Sequence, residues 1–231
     1  MPLSLTMQIM VYWKRQKNCK DADVCTDSSC CQAYWDQEQY LEEGGKAEDI
    51  AKIKTAVLET EGQVLEYDGT LIDATYFSCS GGMTEDAVAV WGSDVPYLRS
   101  VESPGEENAK HYEESISIPK DALIKRLGLN SDTDILKIEN ICYTNGGGID
   151  TITICGEAIK GTTLRKKLEL NSTAMMIRIT DDSVIITTKG KGHRVGMSQY
   201  GANAMAKNGA TYKEILEHYY YQTELTSYGS D

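Results

Sequence analysis

The sequence has 231 residues, 41% hydrophobic and 25% charged, with a net charge of -12 from 23 Lys and Arg against 35 Asp and Glu. This length fits one large domain or two small ones sharing a core. The acidic balance argues against nucleic acid and anionic membranes as partners, and no apolar run is long enough to span a bilayer.

In chain order, Leu3, Met7, Met10 and Val11 follow helical spacing. Lys14, Arg15 and Lys17 come after that apolar stretch, the reverse of a signal peptide, so any export signal is expected outside this sequence. Cys19 to Cys31 reads as a polar loop rich in Asp and Ser, and Ala33 to Gly45 as an acidic, aromatic helix or connection. Asp49 to Glu61 is a helix with Ile50, Ile53, Val57 and Leu58 on one face, stopped by Gly62. Val64 to Tyr67 and Thr70 to Phe77 flank Asp68-Gly69, a hairpin signal. A glycine-rich loop spans Ser78 to Thr84, and Val95 to Ser103 is a proline-bounded extended segment.

Pro119 opens a short helix through Leu123 and Leu127, closed by Gly128. Ile135 to Tyr143 and Ile149 to Cys155 read as strands around Asn145-Gly146-Gly147-Gly148, and Thr163 to Leu168 as a helix. Ala174 to Thr180 and Ser183 to Thr188 form a hairpin around Asp181-Asp182. Thr211 and Glu214 make a capping box, followed by Tyr212, Ile215, Leu216 and Tyr219 on one helix face. Helices and hairpins mix without regular alternation, so the expected class is α+β, arranged around a groove. Tyr outnumbers Phe by 14 to 1, which suits either wet sugar-contacting grooves or half-buried strands.

Three constellations can carry chemistry. Cys19, Cys25, Cys30 and Cys31 are close enough to wrap one tetrahedral Zn2+, with Cys25 and Cys31 the safer pair because adjacent side chains diverge. Disulfides and free thiols are the alternatives. Cys79, Cys142 and Cys155 stand in apolar strand contexts and read as buried small hydrophobes. The second constellation is Ser80, Gly81, Gly82, Thr84 and Glu85 with Trp91: backbone that a ligand can approach, polar groups beside it and a ring to stack on a sugar. A bulged hairpin end with a core Trp is the competing reading. The third runs from Gly190 through His193, Gly196, Ser198, Gln199 and Tyr200 to Ala202. Here Ser198 caps a helix to Lys207 and His193 orients a ligand or is structural.

Together these stretches resemble the sporulation stage II protein D family, whose relatives include an amidase enhancer. The resemblance rests on Ser78-Cys79-Ser80-Gly81-Gly82-Met83-Thr84-Glu85, Trp91, Pro96-Tyr97-Leu98, Val101 and Ser103-Pro104, and most of all on Gly192-His193-Arg194-Val195-Gly196-Met197-Ser198-Gln199-Tyr200-Gly201-Ala202 with Ala206 and Gly209. The loop from Asp21 to Tyr34, with its cysteines and Gln32, adds to it, and the resemblance covers the chain from about Cys19 onward.

It implies a single domain over the chain, N-terminally incomplete, in a peptidoglycan lytic transglycosylase of spore engulfment. Such an enzyme cuts between muramic acid and glucosamine without water and leaves an anhydro sugar. One carboxylic acid with a raised pKa protonates the departing oxygen and then serves as base. The resemblance implies zinc at the positions matched by Cys25 and Cys31, with Cys19 and Cys30 completing a four-thiolate site. It implies glycan strands and other engulfment lytic proteins as partners, and work outside the cytoplasm under a membrane anchor that this sequence does not contain. The family acid lies in a helix reading roughly Glu-Ala-Leu-Lys-Ala-Gln with Arg-Thr-Tyr soon after. Here Leu5-Thr6-Met7-Gln8 is the only match and pairs Leu3 with that glutamate. Truncation, a frameshift or an inactive member would each account for this. Glu85 is the fallback acid. A non-catalytic wall-binding or amidase-enhancing protein is the alternative function.

Overall fold

The computed structural model of the protein describes residues 34–130 and 136–228, together with Thr26. The expected helix at Leu3–Val11 and all four cysteines of the Cys19–Cys31 loop lie outside the described residues. The described residues divide into two compact units, one of those up to Ala74 together with those from Gln222 onward, the other of those between Thr75 and Tyr221.

In the first unit, Asp36 accepts from the Gln39 N–H and Gln39 reaches back to Asp36, a capping box that starts α1 (Gln37–Glu42). The next helix, α2 (Ala47–Glu59), falls where the apolar spacing put it. Its expected apolar face is open, however: Ile53, Val57 and Leu58 are exposed, and Ala56 is the buried position. The hairpin of β1 (Gln63–Tyr67) and β2 (Thr70–Leu71) turns at Asp68 and Gly69, with φ of 49° and 69°. Positive φ at both residues matches the twist of antiparallel strands, and Asp-Gly tolerates it. The last strand of the chain, β11 (Glu224–Ser227), pairs antiparallel with β1 on the side away from β2.

The second expected strand of that hairpin does not run on from Thr70 to Phe77. A separate two-residue strand, β3 (Tyr76–Phe77), pairs in parallel with β10 (Met197–Ser198). This pairing joins residues 121 apart in the chain (197 against 76), which local patterning cannot foretell. Between them come a short helix, α3 (Ala87–Trp91), closed by Gly92 in the left-handed conformation, and β4 (Glu113–Pro119), which propensity does not announce.

Pro119 and Gly128 bound α4 (Lys120–Leu127), and Leu123, Ile124 and Leu127 are its buried face. Strands β5 (Ile138–Tyr143), β6 (Ile149–Ile154) and β7 (Glu157–Lys160) form one antiparallel sheet. Helix α5 (Gly161–Leu168) follows, and the hairpin of β8 (Met175–Ile179) and β9 (Ser183–Lys189) joins β4 in a second antiparallel sheet. In β9, Val184, Ile186 and Thr188 are buried and their neighbours are not, the period-two pattern of a half-covered sheet. Ile152, Ile154, Leu164, Leu168, Val184 and Ile186 join the α4 face in one apolar cluster. Burying each such side chain contributes roughly 1.5–3 kcal/mol.

The unit ends in α6 (Gln199–Lys207), capped by the Ser198 hydroxyl accepting from the Gly201 N–H, and α7 (Tyr212–Tyr219), opened by the Thr211–Glu214 capping box. Ile215, Leu216 and Tyr219 are buried as the helical spacing requires, and Tyr212 is only half-buried. Cys79 is buried as expected, but Cys142 is exposed. The register of β5 against β6 shifts around Cys142, and the whole stretch Asn140 to Tyr143 is exposed. Helices and antiparallel strands in small sheets make the class α+β. Among the described residues, no helix is long and apolar enough to cross a membrane.

Candidate functional site

The Ser80 loop and the His193 loop are neighbours in the second unit. Single bridges join Cys79 to Lys191 and Glu85 to Val195. The chains approach so closely that a Cβ on Gly81 would lie 2.7 Å from the Gly190 nitrogen, and one on Gly190 would lie 2.5 Å from the Ser80 carbonyl oxygen. Both glycines also have positive φ, 74° and 77°, so no other residue fits without displacing backbone.

Arg194 is the bolt between the loops. It is 2% exposed and has φ of 67°, a strained conformation for a long side chain. Its Nε donates to the Ser80 carbonyl at 2.8 Å, and its terminal nitrogens donate to the carbonyls of Met83 and Gly146 and to Glu85 Oε1. Glu85 Oε1 also accepts from the Thr144 hydroxyl and the Gly148 N–H, while Oε2 is buried with no hydrogen bond among the described residues. Cβ atoms on Gly146 and Gly148 would fall within 2.6 Å and 2.2 Å of that carboxylate, so the Asn145–Gly148 turn is also its cradle. Burial raises the Glu85 pKa, and Arg194, Thr144 and Gly148 pull it back only in part.

A second carboxylate ties the other side of the knot. Glu106 is 1% exposed and accepts from the N–H groups of Ser80 and Gly81, the hydroxyls of Ser80 and Ser103, and the Cys79 thiol. The Tyr219 hydroxyl lies 2.5 Å from Ser103 Oγ and extends the network into α7. Burial alone would push the Glu106 pKa up, but the hydrogen bonds from Cys79, Ser103, Ser198 and Ser80 outweigh it and the net shift is downward. The Cys79 thiol is pushed up to about 12 by burial and by Glu106, which keeps it protonated and unreactive.

The candidate site residues therefore separate into two groups. Ser80, Thr84, Glu85, Gly196 and Ser198 are buried, and Gly81, Gly82, His193 and Gln199 half-buried. Thr84 accepts from the Val101 N–H, and Ser198 caps α6, so these groups shape the surface from below. Glu85, the fallback acid, is sealed inside its ion pair. Trp91 and Tyr200 are exposed. The Trp91 ring leans on the His193 imidazole at 5.3 Å between centroids, with Phe77 edge-on to the same imidazole at 5.6 Å. His193 Nδ1 accepts from the Val195 N–H. Burial first, then the Arg165 charge, depresses the His193 pKa to about 4, so the ring is neutral near pH 7 and acts as an aromatic prop for Trp91.

Two hollows flank the knot. One, of about 680 Å³, is lined by Met83, Asp86, Val88, Arg99, Glu102 and Asn145 among others. The turn of α3 that carries Trp91 also supplies Val88. Asp86 braces the wall by accepting from the Ser100 N–H and the Asn145 amide. The other, of about 400 Å³, lies against Tyr200 and the outer face of α6. Sequence reasoning missed Glu106, Arg194, Thr144 and Asn145. Arg194 stood inside the strongest motif, and Glu106 directly follows Ser103-Pro104-Gly105, but nothing local marks either as buried. Among the described residues no cluster of three or more His, Cys, Asp or Glu is arranged for a metal.

The model of the family described as "Stage II sporulation protein" matches residues 4–67, beginning ahead of Cys19. The chain is 36% identical over 202 residues to "Stage II sporulation protein D" of Bacillus subtilis (strain 168), covering 87% of this chain and 59% of that protein. It is 35% identical over 211 residues to the protein of the same name from Bacillus amyloliquefaciens, covering 90% of this chain and 61% of that one. An "Amidase enhancer" of Bacillus subtilis (strain 168) is 30% identical over 75% of this chain and 32% of its own length. The chain thus spans about three fifths of the two sporulation proteins.

Proposed function

The chain belongs to the stage II sporulation protein D family, and from that premise we propose that it holds peptidoglycan glycan strands for non-hydrolytic cleavage, as the substrate-binding part of a lytic transglycosylase. The observation that carries this reading is the exposed Trp91 ring, backed by His193, at the end of the helix that also lines the larger hollow. A sugar ring presents an apolar face to such a platform and hydroxyls to polar groups beside it. Asp86, Ser100, Glu102 and Asn145 supply those groups here.

The cleavage needs one carboxylic acid that protonates the departing glycosidic oxygen and then takes a proton from the attacking hydroxyl of the same sugar. Glu85 has a raised pKa but no exposure, so in this reading it braces Arg194. The acid is assigned, by resemblance, to the Glu-Ala-Leu-Lys-Ala-Gln helix of the family, with which this sequence pairs Leu3. The donor chemistry of Cys19, Cys25, Cys30 and Cys31 suits structural Zn2+, which four thiolates bind tetrahedrally. Work outside the cytoplasm, on the wall face of a membrane, follows from the same reading.

Sedimentation with purified cell wall tests the binding. The chain is expected to pellet with wall, and Trp91→Ala to lose that by roughly tenfold with an unchanged melting temperature. A wild-type chain that stays in the supernatant overturns the reading. The amidase-enhancer relative supports a second reading, wall binding without cleavage. Anhydro-muropeptides formed by a chain carrying the glutamate helix favour the first; stimulation of an amidase without them favours the second. Metal analysis that finds no zinc removes the thiolate site.

A further inference from the structure

The smaller hollow is not explained by the Trp91 platform. Its walls are the loop at Gly105–Ala109 and the outer face of α6. Its volume of about 400 Å³ falls within the range of roughly 300–1,000 Å³ common for ligand pockets. The loop is not free to wander, because the buried Glu106 carboxylate pins it from below through Ser80, Gly81 and Ser103. Gly105 lets it approach the helix: φ is 82°, and a Cβ there would lie 2.9 Å from that of Ala204. The hollow is therefore shaped by buried groups on one side and a capped helix on the other, the conditions for a preformed site.

Its chemistry is consistent. Tyr200, Asn108, Asn203, Asn208, Lys207 and Glu107 surround a floor of the small residues Gly105, Ala109 and Ala204. Among the described residues, none of those six side chains is hydrogen-bonded or ion-paired to another protein group. Side-chain amides offer a donor and an acceptor side by side, which matches acetamido groups and vicinal hydroxyls. The Tyr200 ring offers a face to an apolar sugar surface, and Lys207 is a cation in a chain of net charge -12, available to a carboxylate.

We propose that this hollow is a second saccharide subsite, which takes the carboxylate-bearing amino sugar of a wall glycan against Tyr200, Asn203 and Lys207. The inference rests on the glycan-binding reading above and adds to it a place for the carboxylated sugar.

Amide and side-chain NMR of the full chain tests it, with peptide-free wall glycan fragments and chitotetraose as probes. The second probe has the same acetamido sugars without the carboxylate. Both are expected to shift the signals of Tyr200 and Asn203. Asn203→Ala weakens both, whereas Lys207→Gln weakens the wall fragment by roughly tenfold and leaves chitotetraose unchanged. Lys207 is exposed and makes no hydrogen bond or ion pair among the described residues, so this variant folds normally. Equal effects of Lys207→Gln on the two probes overturn the carboxylate assignment. Shifts confined to Trp91 and His193 overturn the subsite while leaving the glycan reading intact. No shift anywhere overturns both.

Discussion

Around helices α4 and α5 the buried side chains are Ile152, Leu164, Leu168 and Val184, packed against one another. Beneath the Ser80 and His193 loops they are Arg194, Glu85, Glu106, Ser80 and Ser103. The first region is held by area removed from water, which is non-directional and tolerates exchange of one aliphatic group for another. The second is held by directed partners. Each buried charge there has lost its hydration and recovers it only through named donors and acceptors. The difference teaches where rigidity is invested: directed polar contacts fix the two loops beside the exposed Trp91 and Tyr200 rings, and the apolar cluster is built from other elements.

Removing the bolt should break the knot most severely. Arg194→Met strips Glu85 of its cation and frees the carbonyls of Ser80, Met83 and Gly146. A loss of about 3–5 kcal/mol is expected, read from the denaturant midpoint. Adding Glu85→Gln should recover part of it, because the stranded charge is then gone. If Arg194→Met costs no more than an aliphatic trim in the core, the contrast between the two regions fails.

Next comes Glu106→Gln, expected to cost roughly 1–3 kcal/mol, since an amide cannot accept all the hydrogen bonds that converge on the carboxylate. Its pH signature is specific. The folded-state pKa of Glu106 lies below its ordinary value of 4.5, so the carboxylate contributes stability above pH 4.5 that is lost as pH falls through the lowered value. The wild type should therefore soften in acid below that point, and Glu106→Gln should flatten that limb. Glu85, with its raised pKa, acts in the opposite sense: its contribution is present in acid and lost as pH rises.

Ile152→Val supplies the reference from the apolar region. Ile152 is 0% exposed, and losing one methylene should cost about 0.5–1.5 kcal/mol with no pH dependence. At neutral pH, where the ring is uncharged, the electrostatic effect of His193 is the smallest, and it grows only in acid. Its imidazole should titrate at about 4 instead of 6.5, visible by NMR. A depressed pKa means stability that is full above pH 6.5 and declines toward pH 4, and His193→Asn should remove that slope. A midpoint near 6.5 would show that the ring is not enclosed by Phe77 and Trp91.

Local signals in the sequence translated directly into structure wherever the governing contact spans a few residues. Asp68-Gly69 turns a hairpin, Gly128 ends α4, Ser198 caps α6, and Thr211 with Glu214 opens α7, because in each case the energy comes from backbone groups within one turn. The strand at Glu113–Pro119 is not legible in the sequence, because four of its first five side chains are polar and its pairing partner lies at Ser183–Lys189. Among candidate site residues, the glycines of both loops are tight for the reason expected of them, close backbone approach. The polar residues between them turned inward, which motif reading alone could not decide.

The amino-acid sequence by itself determined the class, most of the hairpins and helix ends, and the two glycine-rich loops that carry the family resemblance. Only the tertiary structure decided that Arg194 bolts those loops together, that Glu106 anchors them from the far side, and that Trp91 and Tyr200 face outward. Turns and caps are short-range and can be read from neighbours, whereas the partner of a buried charge is chosen by which distant segments meet, and that is settled only when the chain has folded.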